Sequence, residues 1–517
     1  MKVDKKQVLA IGALLFAILF FIVPPLFHQG MFVADDGNWM IIRFAAFYHA
    51  LRAGQFPVRF LPQLNFGYGY PVPTFLYPGF MYLGVPFKAM GLTFTTTIKV
   101  LFGLSVLGFA VSTYLWLWQR FSRRTAYLAT IVGLFTPYLL YDIYGRGSLG
   151  EVMAIAVVPF IFLMLERKQL LWTGIGIFLL LLFHNTLALL FLPLILLYGL
   201  LINKRHVTQF LVSFVLGGLS ASFFTLPALF ELNLTQFART GISNPLNYFA
   251  SSTLIGLAFL ALLVAAWIKF LLAKEKPAYK NLIIFFLVID TLSIFIASPL
   301  SRIIWSVVPS SFVQFPFRFL SIVPLSSAFL AAYILNEYKT RKEMIIPLIV
   351  LFFFIVLYSP LLLKHTYQDQ PDGYYATNEA TTTVKDEYMP VWVKVKPVVH
   401  SAEPVVVVNK GGTINNVVDS GNAISFQETA DKDTTAQINT IYWPGWTATI
   451  DGKPLSIKYN NPAGVMQVRV PQGTHNIFLH FGETPFRLFA DVLSAVAFLL
   501  LLFVGLSKNV RKRLGFE

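Results

Sequence analysis

The sequence predicts a polytopic α-helical membrane protein of about 12 transmembrane helices, with one extracytoplasmic β-sandwich-like domain near its C-terminal end. Three observations carry this. Only 13% of the 517 residues are charged and 56% are hydrophobic, whereas a soluble domain carries about 25% charged residues. The mean hydropathy is +0.66. The apolar residues fall in long runs: residues 7–27 and 344–363 hold no charge at all, and about 20 such residues cross a bilayer. Residues 364–484 then change character, with 9 Lys plus Arg, 12 Asp plus Glu and alternating β-type runs.

The expected spans are 7–27, 97–119, 124–141, 149–165, 169–184, 186–202, 207–227, 250–272, 280–298, 313–335, 344–363 and 486–507. The basic start (Lys2, Lys5, Lys6) precedes an apolar run that ends in Val23-Pro24-Pro25-Leu26-Phe27-His28. That end lacks the small-x-small site of a cleaved signal, so the first helix is expected to be retained. With the N-terminus inside, the inner segments hold 21 of the 40 Lys and Arg. This is the positive-inside pattern, and it also places the C-terminus inside. The net charge of +15 is spread over these separate loops, which speaks for membrane orientation rather than nucleic-acid binding. Residues 75–91 are apolar enough to span, and would raise the count to 13. Crossing would turn Ser122-Arg123-Arg124 outward, and Pro78, Pro86 and three glycines make a poor straight helix, so an interfacial or re-entrant segment is expected.

The expected domains are 1–363, a helical membrane domain with a large first outer loop at 28–74; 364–485, the β-rich domain; and 486–517, the last helix with a basic cytoplasmic tail. Within the β-rich domain, Val391–Lys396 alternates apolar and polar residues, and Val405–Val408 reads as a buried strand. Thr447 to Ile450, then Asp451-Gly452, then Lys453 to Tyr459 reads as a hairpin, since Asp-Gly favours the primed turns. Val465–Val470 and Thr474–Phe481 complete a set of short strands typical of a sandwich.

The chain has no cysteine, which removes disulfides, thiolate metal sites and cysteine nucleophiles. It holds no Walker loop, dinucleotide glycine motif, His-Glu-x-x-His or Gly-x-Ser-x-Gly elbow. Carboxylate chemistry at the outer face of the membrane part draws on Asp35, Asp36, Asp142, Glu151 and Glu231. Asp35-Asp36 precede a helix with apolar positions Met40, Phe44, Phe47, Tyr48 and Leu51 and with Arg43, His49 and Arg52 opposite, the pattern of an amphipathic helix lying on the membrane surface. Two adjacent carboxylates can bind a divalent cation such as Mg or Mn, or one can act as a general base. Alternatively they only cap the helix. Asn65-Phe66-Gly67-Tyr68-Gly69-Tyr70-Pro71 offers aromatic faces, with Tyr68 and Tyr70, to a sugar ring or an isoprenoid tail, or forms an interfacial aromatic belt.

Arg146 lies between glycines, so its guanidinium can approach a phosphate closely. Glu151, at membrane depth, is either functional or the ion-pair partner of Arg146. His184-Asn185 joins two apolar runs, and Gln314 precedes Arg318, which needs an anion from the protein or from a ligand.

In order along the chain, Ala34 to Arg43, Asn65 to Pro71, Gly145-Arg146-Gly147 to Glu151, His184-Asn185, Gln314 to Leu320 and Tyr442-Trp443-Pro444-Gly445-Trp446 with Asp451-Gly452 resemble the bacterial YfhO-like membrane proteins. They also resemble the related group named for a 6-pyruvoyl-tetrahydropterin synthase-related membrane domain. No residues for pterin chemistry are present. That group is similar to the GT-C glycosyltransferases, which use polyprenyl-phosphate sugars and an acidic residue of the first outer loop as base or metal ligand. The resemblance implies this role for Asp35 or Asp36, with Arg146, Glu151 and Arg318 at the family's arginine and glutamate positions. An adjacent acid pair stands where the family has Asp-x-Asp. The implied function is sugar transfer from a polyprenyl-phosphate carrier to a cell-envelope acceptor at the outer face of the bacterial cytoplasmic membrane. Asp35, Asp36 and Glu151 would be catalytic, Arg146 and Arg318 would bind the donor phosphate, and Tyr68, Tyr70, His184, Asn185 and Gln314 would contact substrate. The alternatives are a lipid-linked substrate transporter or flippase, with Asp290 as its intramembrane acid, and a non-catalytic scaffold presenting the β-domain.

Overall fold

A computed structural model describes residue 12 and residues 18–507, except 204–205, 241–244, 274–276, 278, 308–312, 338–348, 350–351, 354–355, 359–360, 362–364 and 379. The chain builds a helical bundle capped at one end by two β-sheets. The helices that matter here are α1 (Gly37–Arg52), α2 (Gly79–Ala89), α3 (Phe94–Leu117), α4 (Arg123–Leu134), α5 (Pro137–Tyr144), α6 (Leu149–Glu166), α7 (Leu170–Phe183), α8 (Asn185–Ile202), α9 (Val207–Ser220), α10 (Ser222–Phe230), α11 (Leu257–Leu272), α12 (Lys280–Ala297), α13 (Val323–Leu335) and α14 (Pro485–Leu506).

Among the described residues, six helical segments are long and apolar enough to cross a membrane, and eight if each bent pair counts once. The bent pairs are α4 with α5, turned by 50° at Thr136-Pro137, and α9 with α10, turned by 64° at Ala221. This differs from the expected twelve. Of the expected span at 7–27 about half, and of that at 344–363 most, lies outside the described residues. Helices α7 and α11 have 14 and 16 residues. At about 1.5 Å per residue, they are shorter than a hydrocarbon core of about 30 Å. Helix α2 has 11 residues with Pro86 inside it. It is far too short to cross, in keeping with the interfacial or re-entrant expectation for 75–91.

Helix α6 is the hub, buried along most of its length and packed against α3, α7 and α8. Its C-terminal Glu166 accepts from Arg120 at 2.5 and 2.9 Å and from the Tyr198 hydroxyl, which in turn accepts from Trp116 Nε1 at 2.8 Å. These bonds fasten α3, α6 and α8 at the end away from the sheets. Helix α1 departs from its expected place on the membrane surface. Met40, Ile41, Ile42, Arg43, Phe44, Ala45, Ala46, Phe47 and Ala50 are all buried. The face opposite Phe44 is small or apolar (Ile42, Ala46), and a helix apolar on most sides belongs inside.

Besides a short antiparallel pair of Met31–Phe32 with Tyr367–Gln368, the strands of the two capping sheets are β1 (Val405–Val407), β2 (Gly412–Asp419), β3 (Ala423–Ala430), β4 (Thr434–Ile441), β5 (Trp446–Ile450), β6 (Lys453–Leu455), β7 (Val465–Val470) and β8 (Gly473–Phe481). They form an antiparallel five-stranded sheet in the order β2-β3-β8-β5-β6 and an antiparallel three-stranded sheet in the order β1-β4-β7. Alternation supplies the core: Ile424 and Phe426 of β3, Ile477 and Leu479 of β8, Ile438 of β4 and Val468 of β7 are buried. The predicted hairpin forms in register, Ile450 opposite Lys453, with Asp451 at φ 49° and Gly452 at φ 79°, the positive angles of a primed turn. Residues 391–396 do not form the expected strand. The peptide groups of Lys394 and Val395 both donate to Pro462 O at 2.9 Å, and Pro390 and Pro397 deprive the flanks of ladder donors.

Two buried arginines join the sheets to the bundle. Arg487 of α14 grips Glu231 bidentately at 2.8 Å and donates to Pro444 O at 2.8 Å. Arg59 donates to Glu483 at 3.0 Å, Asp491 at 2.7 Å and Phe223 O at 2.6 Å. The Trp443-Pro444-Gly445-Trp446 stretch thus serves this joint: both tryptophans are buried, and a Cβ on Gly445 (φ +119°) would lie 2.5 Å from Gly482 O.

Candidate active site

The site grows from two loops that lie against each other. Between α5 and α6 the chain turns through Gly145-Arg146-Gly147, and Gly147 takes φ +65°. A Cβ there would come within 2.9 Å of Ala34 Cβ and Gly37 Cα, so only glycine allows the approach. Asp35 N donates to Gly145 O at 3.1 Å and Asp36 N to Arg146 O at 2.6 Å. These two bonds carry the Asp35-Asp36 pair to Arg146: Asp36 Oδ2 stands 3.7 Å from Arg146 Nη2. Asp36 occupies the N-cap position of α1, but its side chain makes no capping bond. Its carboxylate is therefore turned to the arginine.

Glu151, in the first turn of α6, is fully buried at the centre. Its Oε1 accepts from Arg146 Nη1 at 2.6 Å and Arg318 Nε at 2.9 Å, with His184 Nε2 at 3.5 Å, and its Oε2 accepts from the Tyr138 hydroxyl at 3.0 Å. The Arg146–Glu151 ion pair envisaged from the sequence is present, and Asp142 adds a second bond to Arg146 at 3.0 Å. Arg318 sits on the 3₁₀ turn Pro316–Ile322 that leads into α13, and its Nη1 donates to Gln314 Oε1 at 2.7 Å and Val313 O at 3.0 Å. His184 Nδ1 accepts from Leu187 N at 3.2 Å, capping α8. The proton therefore rests on Nε2, directed at Glu151. Asn185 Nδ2 donates to Phe75 O at 2.9 Å.

Of these groups, Asp35, Asp36, Arg146, His184, Asn185, Gln314 and Arg318 face a cavity of about 690 Å³, with Glu151 behind the arginines. Its polar end is lined by Asp35, Asp36, Arg43, Arg146, His184, Asn185, Gln314, Arg318 and Glu387. Its other walls are Leu181, Leu189 and Leu192 of α7 and α8, and Phe224, Ala228 and Leu229 of α10. Leu189 and Leu229 are more than half exposed on the bundle surface, so the apolar wall continues outward. Tyr68 and Tyr70 lie outside the cavity. Tyr68 O accepts from Ile441 N at 2.7 Å, and the buried Tyr70 hydroxyl bonds Thr383 Oγ1 at 2.8 Å and accepts from Tyr388 N at 2.9 Å. Tyr68 ties the first loop to the end of the strand at 434–441, and Tyr70 ties it to the segment that leads into the sheets.

That segment supplies what the sequence did not point to. Thr383, Val384, Glu387 and Tyr388 line the cavity, and Arg43 anchors the segment, with Nε donating to Thr382 Oγ1 at 3.0 Å and Nη2 donating to Thr382 O. The reading of α1 as a surface helix had turned Arg43 to water, and Glu387 was counted among the acids of the β-rich domain. Burial, helped by neighbouring Asp36 and opposed by Arg146, holds the Asp35 carboxyl above the ordinary carboxylate range. Burial pushes Glu387 up to about 7, against the pull of Arg43 and Arg318. Among the described residues no three His, Asp or Glu side chains converge as metal ligands. Asp35 and Asp36 bring two adjacent carboxylates to the cavity, with Asp36 toward Arg146. Asp290, the transporter candidate, bonds Ser326 between α12 and α13 and does not line the cavity.

No family model matches the chain, and no curated protein matches it. Solved structures do resemble it. The mycobacterial arabinofuranosyltransferase AftD aligns over 69% of this chain at 14% identity and TM-score 0.46, and the chain spans 26% of that protein's length. ArnT of Cupriavidus metallidurans, solved with undecaprenyl phosphate, aligns over 72% of this chain and 68% of its own at 14% identity and TM-score 0.43. The Archaeoglobus fulgidus oligosaccharyltransferase aligns over 74% and 61% at 12% identity and TM-score 0.42.

Proposed function

We propose that this chain is a membrane glycosyltransferase that moves a sugar from a polyprenyl-phosphate carrier to a hydroxyl of a cell-envelope acceptor, at the outer face of the bacterial cytoplasmic membrane. One observation carries the reading: a single cavity joins a cluster of guanidiniums and carboxylates to an apolar wall that runs out between α8 and α10. A ligand that fits both ends is an amphiphile with a phosphate head.

Arg146 and Arg318 take the phosphate. Among the described residues Arg146 Nη2 reaches no acid closer than Asp36 at 3.7 Å, and the bonds of Arg318 use Nε and Nη1, so each guanidinium has a nitrogen to offer the ligand. Glu151 fixes both guanidiniums in place. In the reaction the acceptor oxygen bonds the anomeric carbon. The bond from that carbon to the phosphate oxygen breaks, its electron pair leaves with the phosphate toward the arginines, and a cavity carboxylate takes the hydroxyl proton.

The test compares envelope glycans of a strain making wild-type chain with one making Asp35→Asn/Asp36→Asn at matched membrane levels. A missing sugar with accumulated carrier-linked sugar is expected. Identical profiles would overturn the assignment of these acids to the site.

A further inference from the structure

Three carboxylates of the cavity stand apart from Glu151, whose oxygens are both occupied: Asp35, Asp36 and Glu387. The first two share the Arg146 loop. Glu387 comes from the opposite end of the chain, and nothing assigns it a role. Among the described residues it accepts no hydrogen bond and joins no ion pair, whereas Asp386 beside it is bonded by Lys396 at 2.8 Å and Thr381 Oγ1 at 2.5 Å.

The segment that carries Glu387 is held firmly and in an unusual shape. Thr382, Lys385 and Asp386 have φ of 64°, 52° and 54°, left-handed angles that non-glycine residues, and a β-branched threonine above all, adopt only when the surroundings impose them. The imposing contacts are present: Arg43 on Thr382, Tyr70 on Thr383 and Tyr388, and the stacked ring of Phe75 on Tyr388, centroids 5.0 Å apart. This backbone presents Glu387 to the cavity with its oxygens free. The charged groups that face it are Arg43 of α1, Arg318 of the 3₁₀ turn and Asp36 at the head of α1, with the phenols of Tyr77 and Tyr388 alongside.

Building on the glycosyl-transfer reading, we propose that Glu387 is the carboxylate that receives the acceptor's hydroxyl proton, and that the 381–388 segment forms the acceptor side of the site. Asp36 then serves the donor side by holding Arg146. The proton moves from the acceptor oxygen to a Glu387 oxygen as that acceptor oxygen bonds the anomeric carbon. The electron pair of the broken bond leaves with the lipid phosphate, and the proton returns to water afterwards. A base poised near neutrality is the efficient choice for this task.

The experiment uses full-length chain in membranes of its own strain, which contain carrier-linked sugar and acceptor. Initial transfer rates are followed between about pH 5 and pH 9, with undecaprenyl phosphate binding measured on the same purified proteins. Glu387→Gln is expected to keep undecaprenyl phosphate binding, to lose transfer by about 100-fold or more, and to lose the rise in rate with pH seen in wild type. Glu387→Asp is expected to regain part of the rate together with that rise. Asp36→Asn is expected to slow transfer while keeping the rise. Glu387→Gln transferring at the wild-type rate, or Asp36→Asn abolishing the pH rise, would overturn the assignment. Wild-type chain that binds undecaprenyl phosphate but transfers no sugar would instead sink the glycosyltransferase reading, and this proposal with it.

Discussion

At the scale of single residues, Glu151 holds the site together. It is a buried anion serving Arg146, Arg318, His184 and Tyr138 at once, and each of these comes from a different element. Buried ion pairs gain little over an apolar filling, but removing one member strands the others. Among the described residues, Glu151→Gln leaves Arg318 with no carboxylate at hydrogen-bonding distance and Arg146 with Asp142. The expected cost is about 3–5 kcal/mol, the usual toll of breaking a buried pair. It will read out as a marked fall in the unfolding temperature of the detergent-purified chain. A variant as stable as wild type would mean that the arginines are balanced by something other than Glu151.

At the scale of elements, the α5–α6 turn and the 381–388 segment are the two parts that shape the cavity. Gly147→Ala keeps every charge but forces a methyl against Ala34 and Gly37 at a positive φ. A residue in an unsuitable backbone well costs about 1–3 kcal/mol. The two loops are expected to part, with transfer falling more than stability does. Near-normal transfer by this variant would show that the loop contact is dispensable. The sequence announced the turn, because an arginine flanked by glycines has few other uses. It announced the Asp451-Gly452 hairpin for the same local reason. It did not announce the 381–388 segment. Left-handed Thr382 and Lys385 are imposed by Arg43 and Tyr70, which lie more than 300 positions away, and a side chain of ordinary type gives no local sign of such a contact. Helix α1 misled for a related reason: Arg43 and His49 suggested a wet face, while the shielding contact on Arg43 is again Thr382. Hydropathy located helices at 169–184 and 250–272: α7 fills nearly all of the first, whereas α11 begins only at Leu257, after the turn at Gly256 with φ 78°, which the apolar run around it does not reveal.

At the scale of the whole molecule, the joint between sheets and bundle rests on Arg487 with Glu231 and on Arg59 with Glu483 and Asp491. Arg487→Met leaves Glu231 without its cation and frees Pro444 O. Limited proteolysis is expected to cut within 440–446 and 482–486 far sooner in this variant than in wild type. An unchanged digestion pattern would place the strength of the joint in its aromatic packing. The 381–388 segment has a consequence for biosynthesis as well. The cavity needs Asp35 and Glu387, separated by 352 positions. At about 5–20 residues per second a ribosome needs roughly 20–70 s to make that stretch. On the proposed orientation, Arg146, 241 positions before Glu387, therefore waits roughly 10–50 s for the last wall, and Arg318, 69 positions before it, only about 3–14 s. During that time a carrier lipid that drifted in would meet water, not acceptor. If Glu387 is the proton acceptor proposed above, transfer cannot begin until that segment is in place, and unfinished chains would not spend lipid-linked sugar.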